Sequence, residues 1–279
     1  MCLIWGTTWL GIKIGLQTLA PFTGVGLRFA IAGFVLFIVA AVRGALLPAR
    51  EYPWRFIALF SVSMFGISYV LNYIAETRLD SGLVSVLFGT LPFFTFGFGA
   101  LMIGERAAPI VWLGAVLAFL GVAVISLTPQ VRGSIPFALC TIVAAASSAF
   151  ANVCAKKYAH HDPLVTLPPS MLISGLVIGT IGLLVERTDW HAVLGPTSLA
   201  ALLYLALLGS SLAFFLMLWL LKHVPVYVVG LATLIFPIVA LIAGAFYGEH
   251  AGARELLGSA LVIGGLALAL ARRQATATS

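Results

Sequence analysis

Residues 91–121 read LPFFTFGFGALMIGERAAPIVWLGAVLAFLG, and residues 236–265 read FPIVALIAGAFYGEHAGARELLGSALVIGG. Leu91-Pro92, Gly104-Glu105-Arg106, Leu113-Gly114 and Gly121 of the first stretch recur as Phe236-Pro237, Gly248-Glu249-His250, Leu257-Gly258 and Gly265, at an offset of 144–145 residues. Around these signatures nearly every residue is apolar, so each copy reads as two lipid-length helices joined by a short polar turn. Two copies of one pattern imply two homologous halves. If each half holds five spans, an odd number, equivalent helices cross in opposite directions, and Glu105 faces the side opposite Glu249. Such an inverted-topology repeat is the build of secondary transporters that alternate access around a midplane site.

Composition agrees. The chain has 279 residues, 62% hydrophobic and 9% charged, against roughly 45–50% and 25% in a soluble domain, with a mean hydropathy of +1.13. Too few polar side chains are present to cover a surface in water, which excludes a soluble fold. A membrane β-barrel needs apolar residues alternating with polar ones, and stretches such as Ala30 to Val42 or Leu256 to Ala271 do not alternate. Charges, Pro and Gly mark loops that divide the chain into spans at about 2–19, 22–42, 54–75, 81–103, 109–127, 134–155, 164–185, 197–221, 226–247 and 254–271. The expected fold is therefore an all-α integral membrane protein of ten transmembrane helices, with residues 1–130 as the first five-helix repeat and 131–279 as the second. The first Lys is Lys13 and apolar spans continue to the end, so the first helix is expected to stay rather than be cleaved as a signal peptide. Cys140 and Cys154 stand about 21 Å apart if they share a helix, so they and Cys2 read as buried thiols rather than a disulfide framework.

Basic residues set the orientation. Nine Lys and Arg (Arg43, Arg50, Arg55, Arg106, Lys156, Lys157, Lys222, Arg272 and Arg273) fall on the side of the termini, and four (Arg78, Arg132, Arg187 and Arg254) on the other. The positive-inside rule then places both termini in the cytoplasm of a cell inner membrane. It also explains the pI near 9.5 without a nucleic-acid partner.

The opening Ile4-Trp5-Gly6-Thr7-Thr8-Trp9 with Lys13, the Arg28-Phe29 of the second span and the paired Pro…Gly-Glu…Leu-Gly…Gly signatures resemble the EamA-type branch of the drug/metabolite transporter superfamily, over nearly the whole chain. The resemblance implies ten helices in two inverted halves and export of small metabolites. Within that branch the chain looks most like YddG-like exporters of aromatic and other amino acids, which supplies the expected substrate class.

Pro92 and Pro237 stand near the centres of their predicted spans, at equivalent repeat positions. A proline there removes a backbone donor and kinks the helix, so the carbonyls of Phe88 and Thr233 lose their usual partners. Carbonyls freed at membrane depth are tolerated beside protein or a water-filled cavity, so these helices are expected to line the pathway; a kink used only for packing is the alternative. Lys13, just past the middle of the first span, shares a helix face with Trp9 and Trp5. Its ammonium is costly in lipid, so it is either a transport group or an anchor snorkelling to the outer interface. Its repeat counterpart is Lys156 or Lys157. Arg28, about one and a half turns into its span, is expected to snorkel.

Polar handles for a solute are expected from Tyr69, Asn72 and Tyr73 on the third span and from Ser148 and Asn152 on the sixth, with ordinary interhelical hydrogen bonding as the alternative. Phe215 and Trp219, one turn apart on the eighth span, are candidates for an aromatic wall, against a role in the core or the interfacial belt. Gly11/Gly15, Gly175/Gly179 and Gly244/Gly248 read as close helix contacts, and the oligomeric state stays open.

No phosphate-binding Gly-rich loop and no His-Glu-x-x-His occur, and the five histidines fall in predicted loops, so neither a metal nor a cofactor is expected. The expected function is export of amino acids by alternating access. A sugar-phosphate or nucleotide-sugar exchanger would require buried cations, of which only Lys13 and Arg28 are candidates. An intramembrane enzyme would require a nucleophile and base or paired carboxylates within the spans. All nine carboxylates fall at loops or helix ends, so enzyme chemistry is not expected and facilitated diffusion is; a buried Lys13 that titrates, or sodium held by the freed carbonyls of Phe88 and Thr233, would be the routes to coupling.

Overall fold

A computed structural model describes residues 1–79, 81–126, 135–236, 238–239 and 253–277. The described residues are helical, with no strand among them. Lipid offers the backbone no hydrogen bonds, so apolar runs of this length satisfy their own donors and acceptors as helices. In chain order these are α1 (Cys2–Gly15), α2 (Pro21–Val42), α3 (Trp54–Phe60), α4 (Tyr69–Glu76), α5 (Ser81–Phe88), α6 (Leu91–Ile103), α7 (Pro109–Ser126), α8 (Ile135–Lys157), α9 (Pro163–Val185), α10 (Trp190–Val193), α11 (Pro196–Ala206), α12 (Ala213–His223), α13 (Val226–Leu231) and α14 (Ala253–Ala277). Among the described residues, six helical stretches are long and apolar enough to cross a membrane: Pro21–Val42, Trp54–Glu76, Val86–Ile103, Ile135–Lys157, Pro163–Val185 and Pro196–His223. Their outer faces are apolar too, with Val42, Leu101 and Leu184 each about four-fifths exposed, as a lipid-facing surface requires.

Local sequence sets the ends. Pro21, Pro163 and Pro196 open their helices, where a missing donor is harmless. Gly104, at φ +72°, closes α6 in the left-handed conformation that glycine adopts freely. Two glutamates then bind helices together across the chain. Glu186 accepts from the backbone N–H of Phe22 at 2.9 Å and of Thr23 at 2.8 Å, at the start of α2. Glu105 accepts from Val226 N–H at 2.8 Å, at the start of α13. Both place a carboxylate on the positive end of a helix dipole. At the opposite end from Glu186, Lys156 donates to the carbonyls of Leu221 at 2.8 Å and Val224 at 2.9 Å, where α12 finishes.

Corresponding helices of the two sequence repeats lie against each other, antiparallel. Along α2 and α9, Thr23 stands opposite Gly182, Gly26 opposite Gly179, Ala30 opposite Gly175, and Gly33 opposite Leu172. The approach is so close that a Cβ on Gly175 would lie 2.2 Å from Ala30 N, and one on Gly26 2.3 Å from Gly179 Cα. Small residues permit such backbone contact between membrane helices. α7 and α14 repeat the arrangement, with Gly121 against Gly258 and Val262, and Gly114 against Gly265 and Ala269.

Two irregularities also recur. Between α3 and α4 the chain is π-helical over Ser61–Ser68, and between α11 and α12 over Leu207–Leu212. α5 stops at Phe88 and α6 begins at Leu91, while at the matching place Ala232–Ile235 is a 3-10 turn after α13. Here the structure corrects the sequence reading of Pro92. It does not kink a continuous helix; it lies in the first turn of α6, where its missing N–H has no carbonyl to serve. The turn at Gly89-Thr90 makes the break. Pro237 lies outside the described residues. The first helix also stops at Gly15, short of the expected residue 19.

Candidate functional site

The helix breaks open onto one cavity. α1 contributes Trp5, Thr8, Trp9 and Ile12, and the third span contributes Met64, Tyr69 and Asn72. Phe88 and Leu91 flank the break between α5 and α6, and Thr233 and Phe236 flank its counterpart, with Val229 beside them. α8 supplies Ser148 and Asn152, and α12 supplies Phe214 and Met217. All these side chains are uncharged.

The walls are aromatic and tightly fitted. Trp5 meets Phe214 edge to face at 5.2 Å and Phe236 at 6.1 Å, and Trp9 meets Phe88 at 5.5 Å. Behind Phe214 stand Phe65 at 5.1 Å and, against Phe65, Phe29 at 4.5 Å. Edge-to-face packing of this kind contributes about 0.5–1.5 kcal/mol per pair beyond burial, which fixes the rings around the cavity.

Several polar groups at the wall are already engaged. Trp5 Nε1 donates to the Gly209 carbonyl at 3.1 Å, Thr8 Oγ1 to Trp5 O at 2.8 Å, and Thr233 Oγ1 to Gly230 O at 2.8 Å. The Ser148 and Ser68 hydroxyls share a hydrogen bond of 2.6 Å. Three others are not engaged. Trp9 Nε1, Asn72 Oδ1 and Asn152 Oδ1 are buried without a hydrogen-bond partner. A buried polar atom left unmatched costs about 1–3 kcal/mol, and all three belong to residues that line the cavity.

Behind the wall lies a charge that the sequence reading misplaced. Arg28 does not snorkel. It is fully buried, donating from Nε to Ser210 Oγ at 2.8 Å, from Nη2 to Gly209 O at 3.2 Å and from Nη1 to Tyr73 Oη at 3.4 Å. Its guanidinium lies 4.8 Å from the centre of the Tyr69 ring, a cation–π contact. Arg28 therefore ties α2 to the second π-helical segment, whose widened turns present the Gly209 carbonyl sideways. Glu76, one turn beyond Asn72 on α4, is the second surprise. It is 7% exposed, and neither carboxylate oxygen has a hydrogen-bond partner. It falls at a helix end, as read from sequence, yet that end is buried beneath neighbouring helices.

Of the residues singled out from sequence, Trp5, Trp9, Tyr69, Asn72, Phe88, Ser148, Asn152 and Thr233 meet at the cavity. Tyr73 is buried behind it, against Arg28. Pro92 is buried in the first turn of α6 and absent from the lining. Lys13 is exposed near the end of α1. Phe215 packs on the core rather than the cavity, and Trp219 is half-exposed with its ring 4.4 Å from His223. The eighth span turns Phe214 and Met217 inward instead. A π segment holds about one extra residue per turn and so rotates everything after it, a shift that 3.6-residue spacing from α11 does not foresee. Ile12 and Thr8 were legible as one-turn neighbours of Trp9 and Trp5. Met64, Leu91, Val229 and Phe236 carry no polar signal that distinguishes them from core.

Comparison with known proteins bears on what such a cavity serves. The sequence pattern of the EamA-like transporter family matches residues 1–127 and again residues 135–271. A "probable amino-acid metabolite efflux pump" of Salmonella typhimurium strain LT2 is 29% identical over 285 residues, covering 94% of this chain and 90% of that protein. An uncharacterised inner membrane transporter, YedA, of Escherichia coli strain K12 is 26% identical over 253 residues, covering 88% of this chain and 80% of the relative. A solved crystal structure of a protein superposes with a TM-score of 0.83 at 20% identity, covering 97% of this chain and 95% of that one, a likeness of fold alone.

Proposed function

This chain belongs to the EamA-like transporter family, and from that premise we propose that it exports small neutral amino acids, aromatic and apolar ones foremost, by alternating access. One observation carries the substrate class. The cavity is walled by aromatic and apolar side chains, has no charged lining residue, and keeps the Trp9 Nε1 donor and the Asn72 and Asn152 Oδ1 acceptors unused. An amino-acid zwitterion matches that demand. Its ammonium donates to the two amide oxygens, its carboxylate accepts from the indole, and its side chain lies among Trp5, Phe88, Phe214 and Phe236. The name of the Salmonella relative points to the same class.

In this reading the chain is ten spans in two inverted five-helix halves, residues 1–130 and 131–279, in the inner membrane with both termini cytoplasmic. The antiparallel contacts of α2 with α9 and α7 with α14, the two π segments and the two interrupted helices support the halves. The breaks around Phe88 and Thr233 sit at the cavity, where rocking of one half on the other exposes it to either side. No cofactor enters the scheme. A sugar-phosphate or nucleotide-sugar exchanger fits less well, since a phosphate needs charge-assisted partners and Arg28 is committed to Ser210, Gly209 and Tyr73.

The test is counterflow in proteoliposomes. Vesicles preloaded with phenylalanine should take up labelled phenylalanine, leucine and tryptophan, and should ignore glucose 6-phosphate. Uptake of the phosphate ester alone would transfer the chain to the exchanger class.

A further inference from the structure

Arg28 reaches two walls of the cavity without lining it. On one side its guanidinium lies 4.8 Å from the centre of the Tyr69 ring, and Nη1 meets the Tyr73 hydroxyl at 3.4 Å, so it backs the third span. On the other side Nη2 donates to the Gly209 carbonyl at 3.2 Å and Nε to Ser210 Oγ at 2.8 Å, within the π segment that leads into Phe214. The same Gly209 carbonyl accepts from Trp5 Nε1 at 3.1 Å. One peptide oxygen therefore holds two donors, the buried cation behind the wall and an indole that forms the wall. That indole meets Phe214 at 5.2 Å and Phe236 at 6.1 Å, and all three rings line the cavity. Room at the junction is short: a Cβ on Gly209 would stand 2.9 Å from Thr8 Cγ2 and 3.2 Å from Arg28 Nη2.

A buried cation is an inefficient way to hold helices together, because its desolvation offsets much of what its hydrogen bonds return. Here its acceptors are two hydroxyls and a carbonyl rather than carboxylates. What a guanidinium supplies and an apolar side chain does not is direction, a planar fork of donors at fixed angles. We infer that Arg28 is a positioning residue for substrate selection: by fixing the Gly209 carbonyl it sets where the Trp5 indole stands, and so how well the cavity fits an aromatic side chain. The inference rests on the carrier reading above and names what sets its preference among amino acids. Without the fork, α2 keeps the Ser211 hydroxyl's bond to Ala32 O at 3.3 Å, so the π segment stays docked while its Gly209 carbonyl is free to turn. Trp5 then loses a fixed acceptor and its ring tilts. An aromatic substrate loses the ring edge or face it packs against, whereas the methyl group of alanine has little contact there to lose.

Two variants of the full chain approach the junction from opposite sides. Arg28→Lys keeps the cation and removes the fork; Gly209→Ala keeps the guanidinium and pushes Nη2 away. Calorimetric titration should show phenylalanine weakened relative to alanine by at least about fivefold in each. In a Trp5→Phe background, which has no indole N–H, neither variant should change that ratio further. Ultraviolet Raman difference spectra between each protein and its Trp5→Phe form isolate the Trp5 band that reports indole N–H hydrogen bonding. That band should move toward a weaker hydrogen bond in both variants, with no substrate present. A Trp5 band that stays in place, an unchanged phenylalanine-to-alanine ratio, or a loss that adds in full to that of Trp5→Phe would overturn the inference. Should Arg28→Lys fail to fold, Gly209→Ala decides by the same readouts. If the wild type binds no amino acid at all, it is the substrate reading that fails, and the Raman band alone decides whether Arg28 positions Trp5.

Discussion

The third and eighth spans are built alike and furnished differently. Each carries a π-helical segment, Ser61–Ser68 in one and Leu207–Leu212 in the other, and after that segment each turns two residues into the cavity at the same places, Tyr69 and Asn72 against Phe214 and Met217. Beyond them the third span continues with Tyr73 and Glu76, and the eighth with Leu218 and Leu221, all four buried. Under the proposed alternating access, shared geometry is what two halves need in order to exchange roles as the cavity opens to either side. The polar chemistry has no such constraint, and it is gathered on the third span. On the proposed mechanism, duplicated architecture would supply the motion, and departures from duplication the recognition.

Making the two spans more alike should therefore break function in a graded way. The largest effect is expected one helix away, at Arg28 on α2, which braces the third span against the second π segment. Arg28→Met would leave the Ser210 and Tyr73 hydroxyls without their bonds to the guanidinium. Hydrogen bonds to charged groups are worth about 1.5–3 kcal/mol each, less the relieved desolvation of the cation. A loss of about 2–3 kcal/mol is expected, seen as a drop of several degrees in the unfolding midpoint of the purified protein. An unchanged midpoint would show that the link to Gly209 and Ser210 is dispensable.

Asn72→Met copies Met217 into the third span. It removes one acceptor from the cavity while keeping comparable volume, so phenylalanine affinity should fall about tenfold, the equivalent of 1.4 kcal/mol, with thermal stability retained. Equal affinity would mean that polar asymmetry is not used for recognition.

A smaller contrast sharpens which face of the eighth span matters. Phe214→Ala should weaken phenylalanine more than alanine, by several-fold, because aromatic burial is lost. Phe215→Ala and Trp219→Ala should leave that ratio unchanged, since neither residue lines the cavity. The least effect is expected from Pro92→Ala. The break at Gly89-Thr90 persists without it, so counterflow should stay within about twofold of wild type; a proline in the first turn of a helix is tolerated without strain.

Much of this was written in the sequence at the level of spans. Apolar runs and proline starts located the helices, and i, i+4 spacing placed Trp5 with Trp9 and Ser148 with Asn152. What failed was whatever depends on a neighbouring helix or on departure from α-helical winding. Arg28 looks like an interfacial anchor until Gly209 and Ser210 arrive from 181 and 182 residues away to meet it, and Glu76 looks solvated until neighbouring helices cover it. Phe214 and Phe215 look alike in sequence, because nothing in Leu207-Leu208-Gly209-Ser210 announces the π segment that turns Phe214 inward. Pro92 looks like a kink as long as its span is a single helix, which the turn at Gly89-Thr90 interrupts.

The central claim is that Trp9, Asn72 and Asn152 together recognise a zwitterion, and binding to the purified carrier tests it most directly. Calorimetric titration should compare L-phenylalanine with phenethylamine, which lacks the carboxylate, and with 3-phenylpropanoate, which lacks the ammonium. The predicted result is phenylalanine bound at least about tenfold more tightly than either, with the advantage over 3-phenylpropanoate lost when Asn72 and Asn152 are both replaced by Leu. Equal binding of all three ligands, or an advantage that survives that double replacement, would contradict the account.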